Sequence, residues 1–238
     1  MLDTSAPNLA RACDYLLGGG ANFAADRLLA GRITELYPGS QKVLSTSRAL
    51  RAASLRTIAA AGVAQYVEVG SGLPTRPSTH AVAGRVLAGR AVPGREAPGP
   101  RVVYVDNDPA VTSHLASLVP AGVRAVEADL AEPEALLDAV SPFIDFARPA
   151  CLVLTLVLQV LDPGTARAVA AVLVRALAPG SYVVITVGEG KQGRLPDTVS
   201  PDDFTVADVS GFLSGLDLVP PGVHQEGPVL HGVGVKRA

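Results

Sequence analysis

The chain of 238 residues is poor in cysteine, with only Cys13 and Cys151. Two thiols make neither a disulfide framework nor a zinc site. The histidines, His80, His114, His224 and His231, show no ligand spacing, so no metal is expected. Long apolar runs are missing as well: the longest, Cys151 to Leu158, is too short to cross a bilayer, and no membrane is expected as a partner. There is no excess of positive charge, since 20 Lys+Arg against 22 Asp+Glu leave −2. Such a chain has no electrostatic footprint for a phosphate backbone, and 4% aromatics offer few stacking platforms, so no nucleic acid is expected either. Residues 1–5 lack both a basic stretch and an apolar stretch behind it, so no signal peptide is read and a cytoplasmic location is expected. What is plentiful is apolar residues, at 48%, enough for a sizeable core in one compact unit.

The first 62 residues read as helical. Asn8 suits an N-cap, with Leu9, Cys13, Leu16 and Leu17 at helical spacing until Gly18-Gly19-Gly20 stops the helix. A second helix is expected from Asn22 to about Leu36, and a third from Ser40 to about Ala61, with Gly62 beyond it. Short apolar runs then alternate with helical patterns. Strands are expected at Gln65–Val69, Arg101–Val105, Val123–Glu127, Ala150–Leu156 and Ser181–Val187, with helices at Pro109–Leu118, Pro133–Val140 and Gly164–Leu177 among them. This alternation predicts βαβ units and a parallel sheet. The continuous run Cys-Leu-Val-Leu-Thr-Leu-Val-Leu suits a central strand buried on both faces. A helix near Thr205–Ser214 and strands near Leu216–Val219 and Val229–Val235, turning at Pro220-Pro221-Gly222, close the chain with a hairpin. Residues 83–100 carry Gly-Arg three times at a period of five and then prolines, as a helix running into a surface loop or an anion-binding loop would.

The residues that carry chemistry stand at successive strand ends. The first strand runs into Glu68-Val69-Gly70-Ser71-Gly72-Leu73-Pro74-Thr75, where glycines allow the backbone to approach a nucleotide. The dinucleotide fingerprint needs a third glycine where Thr75 stands, and a plain tight turn would use the same residues. The second strand ends in Tyr104-Val105-Asp106-Asn107-Asp108-Pro109. Asp108 suits an N-cap with Pro109 behind it, which leaves Asp106 to accept hydrogen bonds from ribose hydroxyls. The third strand ends in Glu127-Ala128-Asp129-Leu130, where Asp129 either caps the next helix or accepts an adenine amine. Thr155-Leu156 ends the fourth strand on the floor of the same crevice.

Glu-x-Gly-x-Gly, an Asp after strand two and Asp-Leu after strand three follow the order of class I S-adenosylmethionine methyltransferases. The chain further resembles a narrower family, the S-adenosyl methyltransferases abundant in actinomycetes and long described as a domain of unknown function. The resemblance is carried by Tyr15-Leu16-Leu17-Gly18-Gly19 with Asn22-Phe23-Ala24-Ala25-Asp26-Arg27, by Gly70 to Thr75 with Thr79-His80, by Tyr104 to Pro109, and by Ala178-Pro179-Gly180-Ser181-Tyr182. It implies a seven-stranded, mostly parallel Rossmann-like sheet whose last strand is antiparallel, with residues 1–62 as a helical cap or lid on a core of residues 63–238. It also implies S-adenosylmethionine as cofactor and S-adenosylhomocysteine as product. The cofactor-binding residues it implies are Tyr15, Gly19, Glu68, Gly70, Ser71 and Gly72, then Asp106, Asn107, Asp129, Leu130 and Thr155. Asn22, His80 and Gln159 are the candidates for touching substrate. The chain departs from the family pattern at Gly20, at Arg76-Pro77-Ser78, at Ala81 after the histidine, at Gln159, and in the tail after Gly222.

Methyl transfer from a sulfonium asks mainly for proximity and orientation, so no catalytic residue need stand out. A small-molecule acceptor in secondary metabolism is the expected use, and a homodimer is left open as the assembly. A protein that only senses S-adenosylmethionine, an enzyme that uses the sulfonium in an internal displacement or a cyclisation, and a dinucleotide oxidoreductase are the rival readings. Tyr15 and the glycines after it form either a lid over the cofactor or a shield for the sheet. His80 lies either near the ligand or on a helix surface.

Overall fold

In the computed structural model the described residues are 5–73, 76–90, 99–120, 122–189 and 204–237. Pro74 and Thr75 of the glycine turn, and residues 91–98 of the Gly/Arg stretch, lie outside them. Three helices come first: α1 (Leu9–Leu16), α2 (Ala24–Leu36) and α3 (Ser40–Ala60). Strands and helices then alternate as β1 (Gln65–Val69), α4 (Thr79–Ala88), β2 (Arg101–Asp106), α5 (Pro109–Leu118), β3 (Val123–Glu127) and α6 (Pro133–Val140). After β4 (Cys151–Thr155) a 3₁₀ turn at Leu158–Val160 leads to α7 (Pro163–Ala176) and β5 (Tyr182–Gly188). The chain closes with α8 (Val206–Phe212), β6 (Asp217–Leu218), β7 (His224–Glu226) and β8 (Val229–Val235).

Local chemistry sets these boundaries. Asp108 accepts from the Ala110 amide at 2.8 Å ahead of Pro109, and Asp162 accepts from Gly164 and Thr165 ahead of Pro163. An acid at the cap and a proline in the first turn fill the amide positions that a helix start leaves unpaired. Asn8 caps α1 through the Arg11 amide. The second helix starts two residues later than expected. Phe23 is its N-cap, and Asp26 accepts from the Phe23 amide at 2.8 Å.

The sheet runs β3-β2-β1-β4-β5-β8-β6. Strands β1 to β5 are parallel, and β8 lies antiparallel to β5 along seven residue pairs, Tyr182↔Val235 to Gly188↔Val229. Eight strands are described where seven were expected. The extra one is β7, three polar residues that pair with the start of β8, so the closing hairpin is β7–β8. The expected 216–219 strand is β6, paired with β8 at Asp217↔Val235 and Leu218↔Gly234.

Side chains alternate across the sheet and build two cores. On one face Val67, Val103, Leu152 and Ile185 pack with α6, α7 and α8 through Leu136, Leu173 and Phe212. On the other, Tyr66, Tyr104, Val153 and Val184 pack with α3, α4 and α5 through Leu55, Val82 and Leu115. The long helix α3 is therefore one layer of the sheet sandwich, tied to it by the Ser47–Thr186 and Ser54–His231 hydrogen bonds. Only α1 and α2 stand outside that sandwich. Ala12, Leu16, Ala30 and Ile33 join them to Leu44 of α3 in a third, small core.

Candidate active site

A cavity of about 530 Å³ opens where the parallel strands end. The crevice beyond the carboxyl ends of such strands, at the point where strand order reverses, is where open α/β sheets bind ligands. Here the order reverses between β1 and β4. Gly70, Ser71 and Gly72 form one wall. Gly70 sits at φ 63° and a Cβ there would lie 2.3 Å from Val157 Cγ2, so the turn tolerates no side chain. The Gly72 amide donates to Asp106 Oδ2 at 2.8 Å and fixes the turn to the tip of β2.

Asp106 and Asn107 line the next wall. Burial pushes the Asp106 carboxyl above its ordinary range, and the Asp108 charge adds to this, against the pull of the Gly72 and Asp108 amides. Asp129 and Leu130 follow from the tip of β3, with Asn107 Nδ2 donating to Asp129 Oδ2 at 3.4 Å. Thr155 ends β4, and its Oγ1 is buried with no hydrogen-bond partner among the described residues. Leu156 beside it holds φ 56°, left-handed for a residue with a Cβ, and its amide donates to the Thr186 carbonyl at 2.8 Å. That conformation costs about 1–2 kcal/mol in a non-glycine residue and turns the chain under the cavity. Gln159 also lines the cavity, with Oε1 accepting from the Gly188 amide at 2.7 Å.

Glu68 reaches the wall of the cavity, but its carboxylate is used within the protein. It accepts from the Arg51 guanidinium and from the Thr79 hydroxyl, all three buried.

Four of the expected residues are not brought to the cavity wall. Tyr15 lies on the outward face of α1 and is 43% exposed. Gly19 serves the turn after α1: its amide donates to the Asp14 carbonyl, and a Cβ there would overlap the Asp14 carboxylate. Asn22 donates to the Gly19 carbonyl at 2.9 Å and accepts from Arg27. His80 starts α4 against Tyr104, its Nδ1 2.9 Å from the tyrosine hydroxyl. Burial lowers the His80 pKa, with Glu68 opposing.

The roof comes from residues that the sequence did not single out. Leu9, Ala10 and Cys13 of α1 face the cavity, with Ala10 packed over Gly72. Leu44, Arg48 and Arg51 of α3 face it from beside β1. Their signal is the spacing i, i+4, i+7, which puts one leucine and two arginines on one helix face. Asn8 ties α1 down: its backbone amide donates to Asp26 at 2.8 Å, and its side-chain amide donates to Asp108 at the far edge of the cavity. Behind it Arg11 Nε donates to the fully buried Asp26 at 2.7 Å. Burial pushes the Cys13 thiol up to about 11, so it faces the cavity as a neutral group.

A parallel sheet with a reversed strand at one edge, a glycine turn after β1 and acids at the next two strand tips define a nucleoside-binding fold of the class I methyltransferase type. The family profile described as S-adenosyl methyltransferase matches residues 1–227. Solved structures agree. A Thermobifida fusca protein assigned to the methyltransferases superposes with a TM-score of 0.85 at 32% identity, over 99% of this chain and 97% of that one. A DUF574 family protein from Streptomyces avermitilis gives 0.82 at 27%, over 98% and 99%. The 1,6-didemethyltoxoflavin-N1-methyltransferase of Burkholderia thailandensis, solved with its substrate and S-adenosylhomocysteine, gives 0.54 at 18%, over 90% and 89%, and shares the fold. Comparison with the curated proteins gives no match. The chain belongs to the S-adenosyl methyltransferase family, and its cofactor is S-adenosylmethionine. No helix among the described residues is long and apolar enough to cross a membrane.

Proposed function

We propose that the protein methylates a small molecule seated beside S-adenosylmethionine under α1. The observation that carries this reading is the roofed cavity. Its volume of about 530 Å³ lies within the range of roughly 300–1,000 Å³ found for small-molecule sites. Leu9, Ala10 and Cys13 of α1 cover one side of the cavity, which suits a small acceptor.

The residues present suit the cofactor. Asp106 offers a partly desolvated acceptor for ribose hydroxyls, and Asp129 with Leu130 offers an acceptor beside an apolar wall for an adenine amine. The Gly70–Gly72 turn brings backbone to the cavity wall, and the unpartnered Thr155 hydroxyl is a spare hydrogen-bonding group. S-adenosylmethionine supplies a methyl group activated on a sulfonium. The protein's own residues bind, orient and exclude water. Leu44, Leu156 and Val157 add apolar surface to the cavity wall beside the polar groups of α3 and β4. The Cys13 thiol, kept neutral by burial, is a weak nucleophile, and an acceptor whose atom is already nucleophilic needs no base.

The test is product analysis. The protein is incubated with S-adenosylmethionine and a panel of hydroxylated and aminated small molecules, and the products are read by mass spectrometry. A methylated acceptor together with S-adenosylhomocysteine is expected. Methylthioadenosine with no methylated product indicates internal displacement instead. Tight binding with no turnover on any acceptor indicates a sensor.

A further inference from the structure

We infer that the outward face of α2 is an interface to a second copy of this chain, the two helices packing antiparallel about a twofold axis. The inference is independent of the reaction assigned to the cavity. Inward, α2 packs on α1 and α3 through Asp26, Ala30 and Ile33. Outward it carries Leu28, 73% exposed, and Leu36, 63% exposed, the two most exposed large apolar side chains among the described residues. Gly31 lies between them, exposed and in the middle of the helix. A glycine there weakens the helix. No packing within the chain accounts for it, since outside the helix itself no described atom lies within 4 Å of a Cβ placed on Gly31. Exposed leucines scattered singly are ordinary. Two of them two turns apart, on either side of an open notch, form one surface.

Ala24, Leu28, Gly31 and Glu35 follow one another at spacings of four, three and four. That is the spacing of a packed helix seam, in which a side chain of one helix enters a hole on the other. In an antiparallel pair centred between positions 28 and 31, Leu28 of each copy fills the notch at the partner's Gly31, and Glu35 comes level with the partner's Ala24. The charges agree with this arrangement. Glu35 sits in the last turn of its own α2, at the end where helix carbonyls disfavour an acid, and among the described residues it has no hydrogen bond and no ion pair. Antiparallel pairing moves it to the first turn of the partner's helix, where free amides favour an acid, and within one turn of the partner's Arg27. Arg27 is exposed, with Asn22 as its hydrogen-bond partner. A parallel pair would set Glu35 beside Glu35, so charge selects the antiparallel direction. The face carries both members of each contact, knob and notch, acid and base, which selects a second copy over an unrelated partner. A helix of 13 residues is about 20 Å long and offers less than the roughly 800 Å² per partner of a standard interface, so the self-association is weak.

Sedimentation velocity on the full chain from about 5 to about 500 μM tests this. Wild type is expected to pass from monomer to dimer across that range. Leu28→Asp and Gly31→Gln are expected to stay monomeric throughout, with the fold intact by circular dichroism. Gly31→Gln is the sharper of the two: replacing a mid-helix glycine should raise the melting temperature of the monomer while abolishing the dimer. Glu35→Arg and Arg27→Glu should each weaken association at least tenfold, and the double variant should recover part of the loss. The proposal is overturned by a wild type that remains monomeric at the highest concentration, by a dimer that survives either Leu28→Asp or Gly31→Gln, or by a double charge reversal that associates no better than the single ones.

Discussion

Thr155 keeps a hydroxyl out of water without a partner, an arrangement that costs about 1–3 kcal/mol. Thr155→Val removes the polar atom at nearly constant volume. Ligand-free protein should then gain up to about 1 kcal/mol in chemical denaturation, while affinity for S-adenosylhomocysteine falls by ~0.5–1.5 kcal/mol in calorimetry. A variant that loses stability and keeps its affinity would remove this hydroxyl from the cofactor site. Asp106→Asn keeps an oxygen for the Gly72 amide but loses the charged acceptor, so binding should weaken by ~1.5–3 kcal/mol with the fold intact by circular dichroism. An unchanged affinity would mean that the ribose is held elsewhere. Asp106, Asp129 and Thr155 were legible in the sequence because a strand end can be read from an apolar run, and parallel topology brings strand ends together. Arg48 and Cys13 were not, because the face that α1 and α3 turn to the cavity depends on how these helices cross the sheet. The Arg51–Glu68 pair joins two elements whose approach no local pattern encodes.

The first helix brings Leu9, Ala10 and Cys13 to the cavity wall, and its hold is polar. Burial pushes the Asp26 carboxyl up, but Arg11 and the amides of Phe23 and Asn8 together hold it below its ordinary value of 3.8. A group depressed in the folded state contributes stability that is present above its unfolded value and lost as pH falls through the folded one. Protection of the amides in residues 9–16 against hydrogen exchange should therefore persist down to about pH 4 and fail below it. Asp26→Asn should open the same helix at neutral pH, because removing one partner of a buried pair costs about 3–5 kcal/mol. Affinity for S-adenosylhomocysteine should drop with it if α1 roofs the site. Exchange confined to α1 and α2 with affinity unchanged would make these helices a shield only. The sequence showed α1 closely, through its Asn8 cap and the glycines that stop it. It placed the lid contacts on the wrong face of α1 for this cavity, since Tyr15 points outward while Leu9, Ala10 and Cys13 point in. The start of α2 was misplaced because Asn22 spends its side chain on the preceding turn instead of on a cap.

Across the whole molecule the sheet alternation was readable, and β1 to β5 lie within a residue or two of their expected limits because apolar strands and proline-started helices punctuate each other. The strand β7 was not readable: His224, Gln225 and Glu226 carry no strand pattern and pair only because β8 presents an edge. The same edge carries a titrating group. His231 of β8 is buried, with Nδ1 3.0 Å from the Ile185 carbonyl and Nε2 3.1 Å from the Ser54 hydroxyl. Burial lowers its pKa below 6.5, and the nearby His224 adds to this against the Ile185 carbonyl. The unfolded chain then binds the proton more readily, so stability rises with pH, is fully present above about 6.5 and is lost as pH falls through the lower folded value. The urea midpoint should decline between pH 7.5 and 5.5, and His231→Gln should flatten that decline. An equal slope in both proteins would assign the effect to His80, which is lowered in the same sense.

The strand order has a consequence for how the protein is made. β8 comes last along the chain, yet it occupies an inner position, bonded to β5 on one side and to β6 and β7 on the other. On the ribosome, β1 to β5 and their helices can assemble while residues 229–235 are still unsynthesised. Throughout that interval the bare margin of β5 presents seven residues of unpaired, apolar backbone. Such a margin is the kind of surface on which nascent chains join one another or recruit chaperones. Slow translation of the stretch between β5 and β8 would lengthen the exposure, and synonymous codons there should affect soluble yield more than codons upstream of β1.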